Sequence, residues 1–153
     1  MADHAHNLRA QESAGRPFGV VTRGTTNPNR LRRCDRWMVA HPEISSLLRS
    51  TEEPLALDVG YGASHTTTVE WAGWLRSVNP RTRVTGLEIS PERVLPPRDG
   101  VTFEMGGFEL AGYHPQLVRA FNVLRQYDVD QVEKAWDTVT SRLAPGGFFV
   151  EGT

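Results

Sequence analysis

Cysteine is almost missing from this chain. Cys34 stands alone in 153 residues, which excludes an internal disulfide and any cysteine-cluster metal site. Lysine is as scarce: Lys134 is the only one among 17 basic residues. No apolar run approaches the roughly 18 residues of a membrane span. The polar N-terminus, MADHAHNLRAQESAGRP, lacks the apolar stretch of a secretory signal. The five histidines, at 4, 6, 41, 65 and 114, have no metal-ligand spacing, so no metal is expected. A basic stripe interleaved with aromatics is missing too, which argues against a nucleic-acid partner. These absences leave a chain 39% apolar with a net charge of −1, long enough for one domain with a real core and at home in a reducing cytoplasm. Its charge is uneven: residues 1–50 carry eight Arg against Asp3, Glu12, Asp35 and Glu43, a net of +4, and the rest nets −5. The arginine excess reads as coding bias rather than a nucleic-acid footprint.

Along the chain, residues 1–17 have the composition of a flexible tail. Asn27-Pro28 is a helix start, with Asn as cap and Pro in the first turn. Leu31, Cys34, Trp37 and Met38 then share one apolar face. Pro42 opens a second short helix to about residue 48. Residues 55–59 form a first strand, and a helix over 64–78 presents Trp71, Trp74, Leu75 and Val78 on one side. Further strands are expected at 83–89, 101–105, 117–123 and 148–151, with a helix of only a turn or two starting at Ser90-Pro91. Asp128 or Asp130 caps a long helix whose buried face is Val129, Val132, Ala135, Trp136, Val139 and Leu143. Alternating strands and helices predict an α/β fold around a parallel sheet of about five strands.

The richest stretch is LALDVGYGAS at 55–64, followed by VTGLEIS at 84–90. A strand runs into a turn with glycines at 60 and 62, a helix follows, and the next strand ends in Glu88. Glycines let the backbone turn tightly and approach a ligand with no Cβ in the way. An acid at the next strand's tip can accept both hydroxyls of a ribose. A dinucleotide fold is the rival, but G-x-G-x-x-G needs glycine at position 65, where this chain has His65.

These residues resemble the D/E-x-G-x-G-x-G signature of class I methyltransferases that use S-adenosylmethionine (SAM). Asp58, Gly60 and Gly62 match, and Ser64 replaces the third glycine. RAFNVLRQY at 119–127 is similar to that family's fourth-strand signature, and LAPGGFFVEGT at 143–153 to its helix–glycine–fifth-strand passage. RGTTNPNRLRRCDRW at 23–37 looks like a segment that precedes the domain in some bacterial members. The resemblance implies a Rossmann-like domain over 54–153 with SAM as cofactor, and a helical extension over 18–53 that lids it. Asp58 orients the glycine turn and reaches the SAM ammonium through water, or else caps nearby amides. Gly60 and Gly62 pass close to the methionine portion, Glu88 takes the ribose hydroxyls, and Tyr61, Ser64 and Ile89 are further cofactor-binding candidates. The acid that often contacts the adenine amino group is replaced in Gly106-Gly107-Phe108. Gly107 and Phe108 are expected to hold adenine by amide and ring, unless Phe108 is plain core, and Glu104 and Glu109 are near enough to serve. Asn122 faces the methyl-transfer centre or bonds a neighbouring loop. Tyr127 and His114 are acceptor-side candidates, and His65 reads as a first-turn helix residue.

The implied activity is methyl transfer to an acceptor, with a small molecule favoured. The alternatives are an inactive SAM-binding interaction module and a dinucleotide-binding oxidoreductase. The family sheet has seven strands. With Thr153 directly after the fifth, the last two are expected to be missing, with methyl transfer low or absent. An apolar, unpaired strand edge would then favour self-association. The domain is expected to fold without residues 1–40.

Overall fold

The computed structural model describes residues 18–21 and 27–153. The tail expected over 1–17, and Arg23 with its neighbours to residue 26, lie outside the described residues. Two helices, α1 (Arg32–Ala40) and α2 (Pro42–Ser50), lead into β1 (Leu55–Val59). Then come α3 (Thr66–Val78), β2 (Arg83–Glu88), β3 (Thr102–Met105), β4 (Leu117–Phe121), α4 (Val129–Arg142) and β5 (Phe148–Gly152). All five strands are parallel and lie in the order β3-β2-β1-β4-β5. This is the α/β architecture expected from the alternation of elements.

A parallel sheet is covered on both faces, and side chains alternate between them along each strand. Leu55, Leu57 and Val59 of β1, with Val118 and Ala120 of β4, join Ala135 and Val139 of α4 in one cluster. Ala56 and Leu117 point the other way, into a cluster with Trp71, Ala72 and Leu75 of α3 and Met38, Ile44 and Leu48 of α1 and α2. The alternation also turns Asp58 and Arg119 toward α3. They stand directly opposite each other in the β1–β4 register.

Several expected elements shift. The helix expected from Asn27-Pro28 begins only at Arg32, because Asn29 takes a left-handed φ of 61° inside a turn. Trp37, expected on the apolar face, is 54% exposed, and Leu31 and Met38 are buried. The fourth strand stops at Phe121 rather than at residue 123, because Asn122 turns the chain at φ 62° into a 3-10 turn over Leu124–Gln126. Ser90-Pro91 opens only a 3-10 turn over Pro91–Arg93. In α4 the buried stripe is Val132, Ala135, Val139 and Leu143. Val129 and Trp136, seven residues apart on its flank, face water. Asp128 precedes that helix and donates its N–H to the Gln131 side chain at 3.1 Å, the reciprocal half of a capping box.

Candidate functional site

The connection from β1 goes outward to β2 and β3, and the chain then returns to place β4 on the other side of β1. At that reversal the loops diverge and leave a crevice beyond the carboxyl ends of the strands. Gly60, Glu88, Ile89, Gly106–Phe108, Val123 and Tyr127 gather there from four loops. Gly60, Glu88, Ile89, Gly107 and Phe108, all named from the sequence, border one slot with Val59, Gly106, Val123 and Tyr127.

The glycine turn is built as the motif implies. Gly60 and Gly62 sit at φ 71° and 90°, where a Cβ is strained. Gly60 N–H donates to the Leu87 carbonyl at 2.7 Å, which ties the turn to β2. Gly62 N–H then reaches the Glu88 carboxylate at 3.2 Å, and Ile89 N–H reaches its other oxygen at 3.2 Å. Glu88 is fully buried. Burial pushes its carboxyl above the usual range, against the pull of the Gly62 and Ile89 amides.

At the far end of the slot Glu109 forms a second carboxylate centre. One oxygen accepts from Gly107 N–H at 2.8 Å and from Phe18 N–H at 2.7 Å. The other accepts from Ala111 N–H at 3.0 Å. Phe108 packs edge-on against Tyr127 at 5.7 Å and against Phe18 at 5.6 Å. Glu104 points elsewhere and accepts the Tyr113 hydroxyl at 2.8 Å. Of the two acids the sequence leaves open, Glu109 is the one bonded to slot residues, Phe18 and Gly107.

Other expected residues stand apart from the slot. Asp58 is engaged by Arg119, which donates Nε to one oxygen at 3.2 Å and Nη2 to the other at 2.7 Å, while Thr68 donates its hydroxyl at 2.8 Å. A carboxylate held this way is tied to the core. The Tyr61 ring turns into the core against Phe103, and its hydroxyl donates to the Arg93 carbonyl at 2.7 Å. Ser64 shares a 2.8 Å hydrogen bond with Thr66 at the start of α3. Asn122 is half-buried at the tip of β4, and its N–H donates to the Gly152 carbonyl at 2.8 Å. His65 makes a 2.9 Å hydrogen bond to the Pro96 carbonyl, and His114 one to the Arg142 carbonyl. The helices expected to lid the slot pack instead on α3. Of the described N-terminal stretch, Phe18, Gly19 and Val20 border the slot.

Arg119 and Asp35 escaped the sequence reading. Arg119 is fully buried, donates Nη1 to Asp35 at 2.6 Å and Nη2 to the Thr67 carbonyl at 3.0 Å, and lies 4.4 Å over the Trp71 ring. Burial alone would lower its pKa, but Asp58 and Asp35 more than reverse that. The signal was present: LVRAF puts one charge inside an otherwise apolar strand, and a charge there demands buried acids. Among the described residues no cluster of His, Cys, Asp and Glu could hold a metal ion, and no helix is long and apolar enough to cross a membrane.

No protein-family model matches the chain, and no curated protein does. Solved structures do. Mycolic acid cyclopropane synthase CmaA1, solved with S-adenosylhomocysteine (SAH) and CTAB, is similar at a TM-score of 0.53 and 12% identity over 98% of this chain, which spans 51% of that protein. Precorrin-6y C5,15-methyltransferase from Geobacter metallireducens gives 0.50 at 18% identity, over 95% of this chain and 70% of its own. PKMT2 from Rickettsia typhi, in complex with AdoHcy, gives 0.50 at 15% identity, over 87% of this chain and 26% of its own. The chain has the Rossmann-like fold of SAM-dependent methyltransferases.

Proposed function

We propose that this chain binds S-adenosylmethionine at the tips of β1, β2 and β3 and transfers its methyl group to a small-molecule acceptor. The observation that carries the reading is Glu88, a buried carboxylate at the end of β2 that faces the glycine turn of β1 and accepts the Gly62 amide. That juxtaposition suits a ribose whose two hydroxyls need one acceptor beside a backbone with no side chain. The fold shared with the precorrin methyltransferase and the cyclopropane synthase supports it.

When bound, SAM supplies a methyl group already activated on a sulfonium, so the protein's task is alignment and exclusion of water. In this reading Glu88 orients the ribose, with Ile89 against it, and Gly60 and Gly62 admit the methionine portion. The Phe108 ring and the Gly107–Phe108 amides form the adenine end, with Glu109 as the acid there. Arg119 keeps Asp58 fixed under the turn. Asn122, at the tip of β4, is assigned to the acceptor side.

Calorimetry with SAH tests the site. The wild-type chain binds, and Glu88→Ala loses about 1.5–3 kcal/mol, the worth of hydrogen bonds to a charged acceptor. That corresponds to roughly a 10- to 150-fold weaker Kd. Unchanged affinity in the variant removes Glu88 from the site. Binding of NAD in preference to SAH replaces the cofactor class.

A further inference from the structure

We propose that residues 18–21 are a built-in competitor of the cofactor: a strap that fills the adenine end of the pocket and has to leave before a nucleoside can enter. The inference rests on the cofactor reading above and adds how access to that site is controlled.

The strap is held as a ligand would be. Phe18 N–H donates to the Glu109 carboxylate at 2.7 Å, and the Phe18 carbonyl accepts from Phe108 N–H at 2.8 Å. A single residue thus offers a donor beside an acceptor to one acid and one amide. Adenine presents the same pair on one edge, an amino N–H next to a ring nitrogen. Glu109 and the Phe108 amide form a receptor for that pair, and the Phe18 backbone satisfies it in place of a purine. Gly107 makes the approach possible, since a Cβ there would run into the Phe18 carbonyl. The Phe18 ring packs edge-on against Phe108, and the Lys134 ammonium lies 5.0 Å above it. Gly19, at φ 152°, threads between the Tyr127 hydroxyl and Ile89, and Val20 N–H donates to that hydroxyl.

Strap and nucleoside exclude each other by volume. The space left between residues 18–20 and the floor of the slot is about 10 Å³, no more than one water requires. Ligand pockets run to hundreds of Å³. Glu88, the ribose acceptor, is 0% exposed with the strap in place. The hold is also light. Past Gly19 the side chains of Val20 and Val21 are 50% and 38% exposed, so the strap's grip is confined to Phe18, Gly19 and one amide. A pocket open only part of the time lowers apparent affinity by the open fraction, and loosening the strap returns it.

Two full-length variants loosen it: Phe18→Ala removes the ring anchor, and Gly19→Val places a branched side chain at a backbone angle it resists. With SAH as probe, calorimetry is expected to show each variant binding about tenfold or more tightly than wild type. In trans, a synthetic peptide of residues 16–22 weakens SAH binding to the Phe18→Ala chain. Hydrogen exchange gives an independent readout, because adding SAH to the wild-type chain deprotects the Phe18 and Val20 amides. Equal or weaker SAH binding by both variants, or greater protection of those amides with SAH, makes the strap a lid and overturns this inference alone. No SAH binding by any of the three chains overturns the cofactor reading and this inference with it.

Discussion

Arg119 donates to two carboxylates at once, and that imbalance sets the electrostatics of the core. It gives Asp58 two hydrogen bonds and Asp35 one, and Thr68 adds a third to Asp58. One cation against two buried acids leaves a surplus negative charge away from water, and such sites take up a proton. Asp35, with the weaker hold, is pushed up to about 6 by burial, against the pull of Arg119 and with further upward pushes from Asp58 on β1 and Glu70 on α3. The sign follows from proton counting. The unfolded chain releases this proton near the ordinary aspartate value of 3.8 and the folded chain at about 6. The folded state therefore holds more protons between those values, and Asp35's contribution is fully present below the lower value and lost as pH rises through the upper. Asp35→Asn keeps an acceptor for Arg119 without the titration. Chemical denaturation is expected to show the variant matching wild type near pH 4. By pH 7 it exceeds wild type by on the order of 2–3 kcal/mol, the two-unit shift converted at about 1.4 per unit. A variant less stable than wild type at pH 7 makes Asp35 an ionised, net-stabilising partner instead.

At the scale of elements, α1 shows where pattern reading reaches and where it stops. Its buried positions are Asp35 and Met38, with Leu31 just before it, at spacings of four and three. The stripe is helical, but its centre is an acid, which no hydrophobic pattern selects. Sequence spacing puts Trp37 there instead, and Trp37 lies on the flank, its ring tilted against His41 at 5.2 Å. Met38→Ala is expected to cost about 2–5 kcal/mol, as removal of a fully buried thioether does. Trp37→Ala is expected to stay within about 0.5 kcal/mol, as a substitution at an exposed position does. Thermal denaturation checks both, and reversed magnitudes would mean the helix is rotated. The same contrast runs through the site. β1, its glycine turn and Glu88 are legible because strand, turn and acid follow one another locally. Glu109 is legible only as one of two candidate acids, and its meeting with the strap is not legible at all, since it joins residues 91 apart in sequence. Asp58 is legible as a motif residue, but its role is not. Its partner Arg119 faces it only through the β1–β4 register, which is a property of the sheet.

For the molecule as a whole, the helical segment before β1 behaves as part of the core and not as an appendage. Met38, Ile44 and Leu48 are buried in the same cluster as Trp71 and Leu75 of α3 and Ala56 of β1. Asp35 reaches past α3 to the guanidinium in the centre of the sheet. The Asn79 side chain donates to the Leu48 and Thr51 carbonyls at 2.8 and 2.9 Å, which fastens the end of α2 to the end of α3. The expectation that the domain folds without residues 1–40 runs against these contacts. Removing that segment deletes Asp35 and Met38 together and opens one side of Trp71 to water. Losing the acceptor of a buried charged donor costs about 1–3 kcal/mol, and losing a buried methionine about 2–5. A domain is stable by only about 5–15 kcal/mol, so the chain from residue 41 onward is expected to lose its cooperative thermal transition and its near-UV circular dichroism. The chain from residue 22 onward lacks residues 1–21, the strap among them, and is expected to keep both. If the shorter chain melts as sharply as the longer one, α1 is dispensable and the fold begins at α2.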